Sequence, residues 1–396
     1  ARERVPGWLA DEPRTSVAPF DQFGATAWVK FQPKGVVGII GTWNAPLFTL
    51  FAPLASVFAA GNRAVLKPSE LAPRTAQVLA EAVPKFFAAE ELAVVTGGPE
   101  VASAFSAQPW DHLVFTGSTT VGRQVMKAAA ANLVPVTLEL GGKSPVLVGR
   151  SADLRNAAER IAVGKGQNGG QLCVSPDVVW VPAESVEAFV AATQEIYTAM
   201  YPTTRDNPDV VPVVNPRHFE RVTGYVADAR ARGVRVETAG AADGADAQHR
   251  RLPLSIVVDP PADAVIAQQE IFGPALVVKP YREIGEAVAA VNAGPRPLAL
   301  YYFGQDEAEQ AWVLDHTLSG GVAINDVLMH AALPDAPFGG VGASGMGHYH
   351  GREGFVEFSH VRSVYKAGGH DPRREWGMLP PYGPHLEPMM RGAVTP

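Results

Sequence analysis

The sequence predicts an α/β protein, with strands and helices alternating along the chain as they do in a doubly wound parallel sheet that binds ligands at its strand ends. Three observations predict this. Short apolar runs such as Val36-Val37-Gly38-Ile39-Ile40 lack the in-out alternation of a half-exposed strand and suit a parallel sheet covered on both faces. Stretches with helical spacing separate these runs. At 396 residues the chain exceeds what one core usually supports, so two or three domains are expected.

Residues 1–25 carry Pro6, Pro13 and Pro19 with little periodicity and read as an irregular arm. A short strand is expected at 26–31. Further strands are expected at 36–40, 64–66, 92–95, 112–115 and 135–140, where β-branched and aromatic residues cluster. Helices are expected between them at 47–60, 74–83 and 121–131, the second stopped by Pro84. In the second half, helices are expected at 157–166, 185–200, 219–232 and 284–291. Strands are expected there at 178–181, 234–237, 255–258, 275–279, 298–303 and 321–324, with a polar loop at 243–249. The proline-dense stretch 371–396 reads as an extended surface tail.

Composition narrows the function classes. Hydrophobic residues make up 47% and charged residues 18%, which excludes a disordered chain. The net charge of −7, with no block of like charges, argues against nucleic acid as a partner. One cysteine rules out an intramolecular disulfide and is compatible with a reducing compartment. No stretch approaches the roughly 18 apolar residues of a membrane helix; the longest candidate, 45–60, is broken by Pro46 and Pro53. The first residues, Ala1-Arg2-Glu3-Arg4, lack the apolar core of a secretory signal, so a cytoplasmic protein is expected.

Several residues could carry chemistry. Cys173 lies in Gly169-Gly170-Gln171-Leu172-Cys173, where paired glycines let the backbone approach a ligand. Its thiolate is a strong nucleophile toward a carbonyl carbon; the competing reading is a buried core cysteine. Glu139 is an acid within an apolar strand that ends at Gly141-Gly142. Desolvation would raise it toward a useful general base, unless it faces solvent from an edge strand. Asn44 sits between a strand and a helix, either as an oxyanion donor or as a helix N-cap. Phe115-Thr116-Gly117-Ser118, followed by Val121, is a strand, a small-residue turn and a helix start, suited to phosphate or to ordinary capping. Lys67 and Glu70 could hold a ribose at a strand end or form a polar loop. Glu270 and Phe272 offer an acid and an aromatic at a turn, or a turn with a core Phe. His348 and His350 have no acidic or cysteine partners at ligand spacing, so no metal site is expected.

Taken together, these stretches resemble the aldehyde dehydrogenase superfamily over residues 30–366. The matching motifs, in order, are Thr42-Trp43-Asn44, Lys67-Pro68-Ser69-Glu70, Phe115-Thr116-Gly117-Ser118-Thr119, Glu139-Leu140-Gly141-Gly142-Lys143-Ser144-Pro145, Gly170-Gln171-Leu172-Cys173, Glu270-Ile271-Phe272-Gly273-Pro274 and Pro337-Phe338-Gly339-Gly340. The run Gly345-Met346-Gly347-His348-Tyr349-His350-Gly351 resembles the coniferyl-aldehyde and fatty-aldehyde branch.

The resemblance implies a Rossmann-type cofactor domain and a second α/β catalytic domain. The expected division is an N-terminal arm (1–34), an NAD-binding domain (35–140), a catalytic domain (141–335), a return segment with a substrate-channel loop (336–370) and a C-terminal tail (371–396). It implies NAD, or NADP, as cofactor, an aldehyde as substrate, and a homodimer or homotetramer. Cys173 would be the nucleophile, Asn44 with the Cys173 N–H the oxyanion donor, and Glu139 the base that activates water. Thr42, Trp43, Lys67, Glu70, Phe115, Thr116, Gly117, Ser118, Val121, Leu140, Glu270 and Phe272 would surround the cofactor, with His218 a weaker match. Leu172 and Phe338 would line the substrate channel. Leu172 stands where many relatives carry a polar residue, and Thr42 where many carry Pro. Relatives also carry a longer helical segment before the first strand, so the 34 residues before Gly35 are read as a shortened arm. A cysteine-dependent esterase and an impaired binding protein on the same scaffold are the alternative readings.

Overall fold

The residues least tolerant of water set the strand positions. Val37, Ile39, Leu66, Leu113 and Val114 are wholly buried, and each lies in a strand of one sheet. The computed structural model describes residues 3–240 and 243–394. These residues group into two compact units, one drawn from the stretches before Lys34 and after Phe358, the other Lys34–Phe358.

In the first unit, β1 (Glu12–Arg14) pairs antiparallel with β2 (Thr26–Pro33). The arm expected to be irregular therefore contains a strand, and also a short helix at Val5–Trp8. Pro13 is tolerated because β1 is an edge strand.

The second unit holds two large sheets. The strands β3 (Val36–Ile40), β4 (Arg63–Lys67), β5 (Leu92–Val94), β6 (His112–Thr116) and β7 (Val136–Glu139) run parallel in the order β5-β4-β3-β6-β7. The chain winds outward from β3 to β5 on one side, then returns to β6 and β7 on the other. The carboxyl ends of β3 and β6 thus flank the point where strand order reverses, which is where doubly wound sheets open a crevice.

The other sheet takes β8 (Pro145–Val148), β9 (Val178–Pro182), β10 (Arg235–Ala239), β11 (Leu254–Val258), β12 (Ala275–Tyr281), β13 (Ala299–Phe303) and β14 (Gly321–Ile324). Its order is β10-β11-β12-β9-β8-β13-β14, parallel except at the β10–β11 edge. Val146, Leu147, Val179, Val181, Ile256 and Tyr301 are fully buried within it. The chain then returns to the first large sheet, where β15 (Gly345–Met346) pairs antiparallel with β7. Finally β16 (Ser359–Lys366) pairs with β2 in the first unit.

The expected tail is not wholly extended. Leu386–Val394 is helical, supported by an Arg391–Glu387 pair at helical spacing with a 2.6 Å contact. Residues 1, 2, 395 and 396, which the expected arm and tail include, lie outside the described residues.

Candidate active site

A cavity of about 1320 Å³ is lined by residues that follow strands of both large sheets. Cys173 reaches it on a loop whose shape the sequence enforces. After helix Leu154–Gly166, Asn168, Gly169 and Gly170 all adopt left-handed backbone, φ 48°, 60° and 72°. At Gly170 a Cβ would lie 2.5 Å from the Gly273 carbonyl oxygen, so only glycine fits that approach. The buried Gln171 then locks the loop. Its Nε2 donates to the carbonyls of Asn168 (2.9 Å) and Pro212 (3.1 Å), and its Oε1 accepts from the Val214 N–H (3.0 Å).

Cys173 is half-buried and faces the cavity, so it is not a packed core cysteine. Burial pushes its thiol up to about 12, with the charges of Glu139 and Glu270 acting the same way. The backbone N–H groups of Cys173 and Val174 point at the sulfur and oppose that shift.

Asn44 is not a helix cap. The helix that follows spans Phe48–Ala59, and its N-cap position is Leu47. Instead the Asn44 Nδ2 donates to the Gln171 carbonyl at 2.9 Å, and Asn168 Nδ2 donates to the Asn44 carbonyl at 3.2 Å. A side-chain amide carries two N–H groups, so the second can serve a ligand.

Glu139 ends β7, which lies between β6 and β15, so the reading as an exposed edge residue does not hold. Its side chain is buried, and neither carboxylate oxygen has a hydrogen-bond partner. Burial, and then the Glu357 charge, hold it well above the usual carboxylate range.

On the opposite wall, Arg221 donates to the carbonyls of Glu270 (3.2 Å) and Phe272 (3.3 Å) and holds their turn, in which Phe272 has φ 46°. The Phe272 ring meets Trp43 edge-on at 5.6 Å, and Trp43 lies 5.9 Å from His218. Burial raises the Glu270 carboxyl to about 7, and Asp177 adds to the shift.

Thr42, Trp43, Asn44, Thr116, Gly117, Ser118, Glu139, Leu140, Leu172, Cys173, Glu270, Phe272 and Phe338 all line this one cavity, and so does His218. Four expected residues do not. Phe115 is buried in the core cluster with Leu113 and Leu138. Val121 is exposed on its helix. Lys67 is buried with its Nζ donating to the Gly97 carbonyl at 2.9 Å, and it meets Glu70 at 3.4 Å beyond the cavity wall. Among the wall residues that the sequence reading did not assign to the site are Tyr349, Lys143 and Arg221. Tyr349 lay in a quoted motif, and its buried hydroxyl is raised by burial and by the Glu139 and Cys173 charges. Lys143 ion-pairs with Asp177 and donates to the Ile266 carbonyl at 2.8 Å.

The donor set suits a nicotinamide dinucleotide. Helix Thr119–Ala130, capped by Ser118, directs its first amides at the cavity mouth beside Gly117, where a diphosphate would be favoured. The Thr116 hydroxyl is buried without a partner, and the Glu270 carboxyl is a ready acceptor for ribose hydroxyls.

The model of the aldehyde dehydrogenase family matches residues 6–364. A probable coniferyl aldehyde dehydrogenase of Caulobacter vibrioides is 51% identical, covering 100% of this chain and 82% of that protein. A coniferyl aldehyde dehydrogenase of a Pseudomonas species is 49% identical over 92% of this chain and 75% of its own length. Among solved structures, substrate-bound AldH of Staphylococcus aureus superposes with a TM-score of 0.90 at 36% identity, covering 99% of this chain and 84% of that one. An NAD+ complex of a Mycobacterium tuberculosis aldehyde dehydrogenase superposes with a TM-score of 0.81 at 32% identity, covering 91% and 74%. Neither the esterase nor the binding-protein reading is favoured by these matches. The chain belongs to the aldehyde dehydrogenase family and is an NAD(P)-dependent enzyme that oxidises an aldehyde.

Proposed function

We propose that this enzyme oxidises aromatic aldehydes of the coniferyl type to their acids, with Cys173 as covalent nucleophile. The observation that carries the proposal is the convergence of Asn44, Glu139 and Cys173 from three distant segments on one cavity. The relatives named above and the apolar surface that Leu172, Phe338 and Trp43 contribute to the cavity wall support an aromatic substrate over a medium-chain aliphatic one.

In this reading Cys173 adds to the aldehyde carbon as the thiolate, its thiol proton having passed to solvent; the C–S bond forms as the C=O π bond breaks, leaving a thiohemiacetal oxyanion. The free Asn44 N–H and the Cys173 backbone N–H stabilise that oxyanion as it develops, a contribution of about 3 kcal/mol for such donors. When bound, the nicotinamide cofactor supplies the hydride acceptor. The thioester left on Cys173 is then hydrolysed by a water whose proton Glu139 accepts. Glu139 suits this because its desolvated carboxylate is a stronger base than a solvated one.

The segment 35–140 would carry most of the dinucleotide, with Gly117 and Ser118 under the diphosphate and Glu270 with Phe272 at the nicotinamide ribose. The catalytic segment 141–335 would supply the nucleophile. Lys67 and Glu70, outside the cavity wall, would meet the adenosine end, and the Glu70 charge favours NAD over NADP. Strand β16 is an edge strand with Val361 and Tyr365 exposed, which suits pairing with a second copy. Among the described residues no helix is long and apolar enough to cross a membrane. A cytoplasmic homo-oligomer is the reading we adopt.

The test is NADH formation with coniferyl, benzyl and medium-chain aldehydes and each cofactor, for the enzyme and for Cys173→Ala. We expect the highest kcat/KM with coniferyl aldehyde and NAD, and no turnover in the variant. Preference for an aliphatic aldehyde removes the substrate proposal, and an active C173A removes the mechanism.

A further inference from the structure

A second cluster of titratable groups lies beside Glu139 and has no part in the steps above. Thr137 and Glu139 are two residues apart on β7, so their side chains emerge on one face of the sheet about 7 Å apart. The Thr137 hydroxyl donates to Glu357 Oε1 at 2.7 Å. His112, on the adjacent β6, places Nε2 2.8 Å from the Thr137 oxygen. Lys34 Nζ lies 3.1 Å from His112 Nδ1 and donates to the Glu357 carbonyl at 2.5 Å.

The chemistry of these groups gives the chain a direction. An ammonium only donates, so Nδ1 accepts from Lys34 and the ring proton sits on Nε2. That N–H donates to Thr137, which leaves the Thr137 hydrogen for Glu357. Burial, aided by Lys34, lowers His112 to about 3, so the ring stays neutral and the direction does not reverse. Every donor in this chain therefore ends at the Glu357 carboxyl group. Gly347 makes room for it: a Cβ there would lie 2.3 Å from Glu357 Oε1 and 2.9 Å from Thr137 Oγ1. The Glu357 side chain is 20% exposed, whereas Glu139 is 1% exposed.

We propose that Glu357 is the proton outlet of Glu139, a positioned carboxylate that receives the proton taken from the hydrolytic water and releases it to solvent. The proposal rests on the reading of Glu139 as the base. Hydroxide oxygen bonds to the thioester carbon, the C–S bond breaks, and its electron pair returns to the Cys173 sulfur. The proton on Glu139 passes through one water to Glu357 and then to bulk solvent, restoring both carboxylates. Nothing is oxidised or reduced in this step. The groups facing Glu139 are Glu357 at the end of helix Gly351–Glu357, Tyr349 just before that helix, and Cys173 from the other sheet's loop. Those facing Glu357 are Lys34 and His112.

The test isolates hydrolysis from hydride transfer. Acyl-enzyme is followed by intact mass in acid-quenched samples, and NADH formation is followed in a single turnover, for E357Q, E357D and E139Q. We expect acyl-enzyme decay in E357Q to slow about tenfold, as for a loss of one unit in base strength. Its acid limb should move to lower pH, because the Glu357 charge no longer raises Glu139. Single-turnover NADH formation should be unchanged, and E357D should recover most of the decay rate. Decay at the original rate in E357Q overturns the proposal, and so does a parallel loss of both steps, which marks a purely structural role. E139Q decaying at the original rate overturns the base assignment itself.

Discussion

Asn44 and Gln171, 127 residues apart in sequence, are joined by a 2.9 Å hydrogen bond from the Asn44 amide to the Gln171 carbonyl. That bond fixes the amide two residues before the nucleophile and ties the β3 turn to the Cys173 loop. Replacing Asn44 with Ala removes the proposed oxyanion donor and this tie together. We predict a fall in kcat/KM of about 10² to 10³. The thiol should remain titratable by a small alkylating reagent. Steady-state kinetics beside iodoacetamide labelling checks this; an N44A enzyme within about threefold of the original would show that the oxyanion is held elsewhere.

Glu139, the proposed base, should cost stability when it is ionised. Its folded carboxyl titrates well above its usual 4.5, so between those values the folded state binds more protons than the unfolded one. Stability is therefore lost as pH rises through that window. Glu139→Gln, which cannot ionise, should melt above the wild type at pH 8 and lose that advantage toward pH 4. Thermal melts at the two pH values decide it. The expected advantage at pH 8 would be absent if the carboxylate had a strong buried partner.

The same residue shows how far the sequence was legible. Apolar runs such as 36–40 and 112–115 fixed their own strands, because residues like Val37 and Leu113 have nowhere to go but a covered sheet. Strands β8 and β15 were not legible: β8 is four residues opening on Pro145, and β15 is two, so neither carries periodicity of its own. Helix Pro99–Ser106 was hidden by the Gly97-Gly98-Pro99 turn at its start. The desolvation of Glu139 was expected from its apolar strand. Its like-charge neighbour Glu357 was not, since only the return of the chain through β15 brings that carboxylate to the same face. Phe115 does not line the cavity, because a motif marks a segment while strand alternation decides which side chains face the cavity; its ring went to the core.

The Cys173 thiol should be a slow nucleophile until neighbouring charges are removed. Burial raises it to about 12, and Glu139 and Glu270 add to that shift. Burial raises Glu270 to about 7, so its charge develops as pH rises through neutrality. Glu270→Gln should speed iodoacetamide alkylation of Cys173 at pH 8, severalfold, with little change at pH 6, where the carboxyl is already protonated. Intact-mass kinetics reads the rate. Equal rates for the variant and the original at pH 8 would place the Glu270 charge too far away to matter.

Asp177 supports both walls without lining the cavity. Its carboxylate pairs with Lys143 and accepts the Ile271 N–H at 2.8 Å, which anchors the Glu270 turn. Its charge also raises Glu270 and Lys165. Asp177→Asn keeps the shape but leaves the Lys143 ammonium without its counter-charge, a loss of about 3 kcal/mol for a largely buried pair. Two consequences separate this from simple unfolding. The Glu270 carboxyl, freed of a like charge, should titrate below 7. The pH step in Cys173 alkylation should follow it downward. A D177N protein that melts lower but keeps the alkylation step in place would confine Asp177 to stability and detach it from the electrostatics of the Glu270 wall.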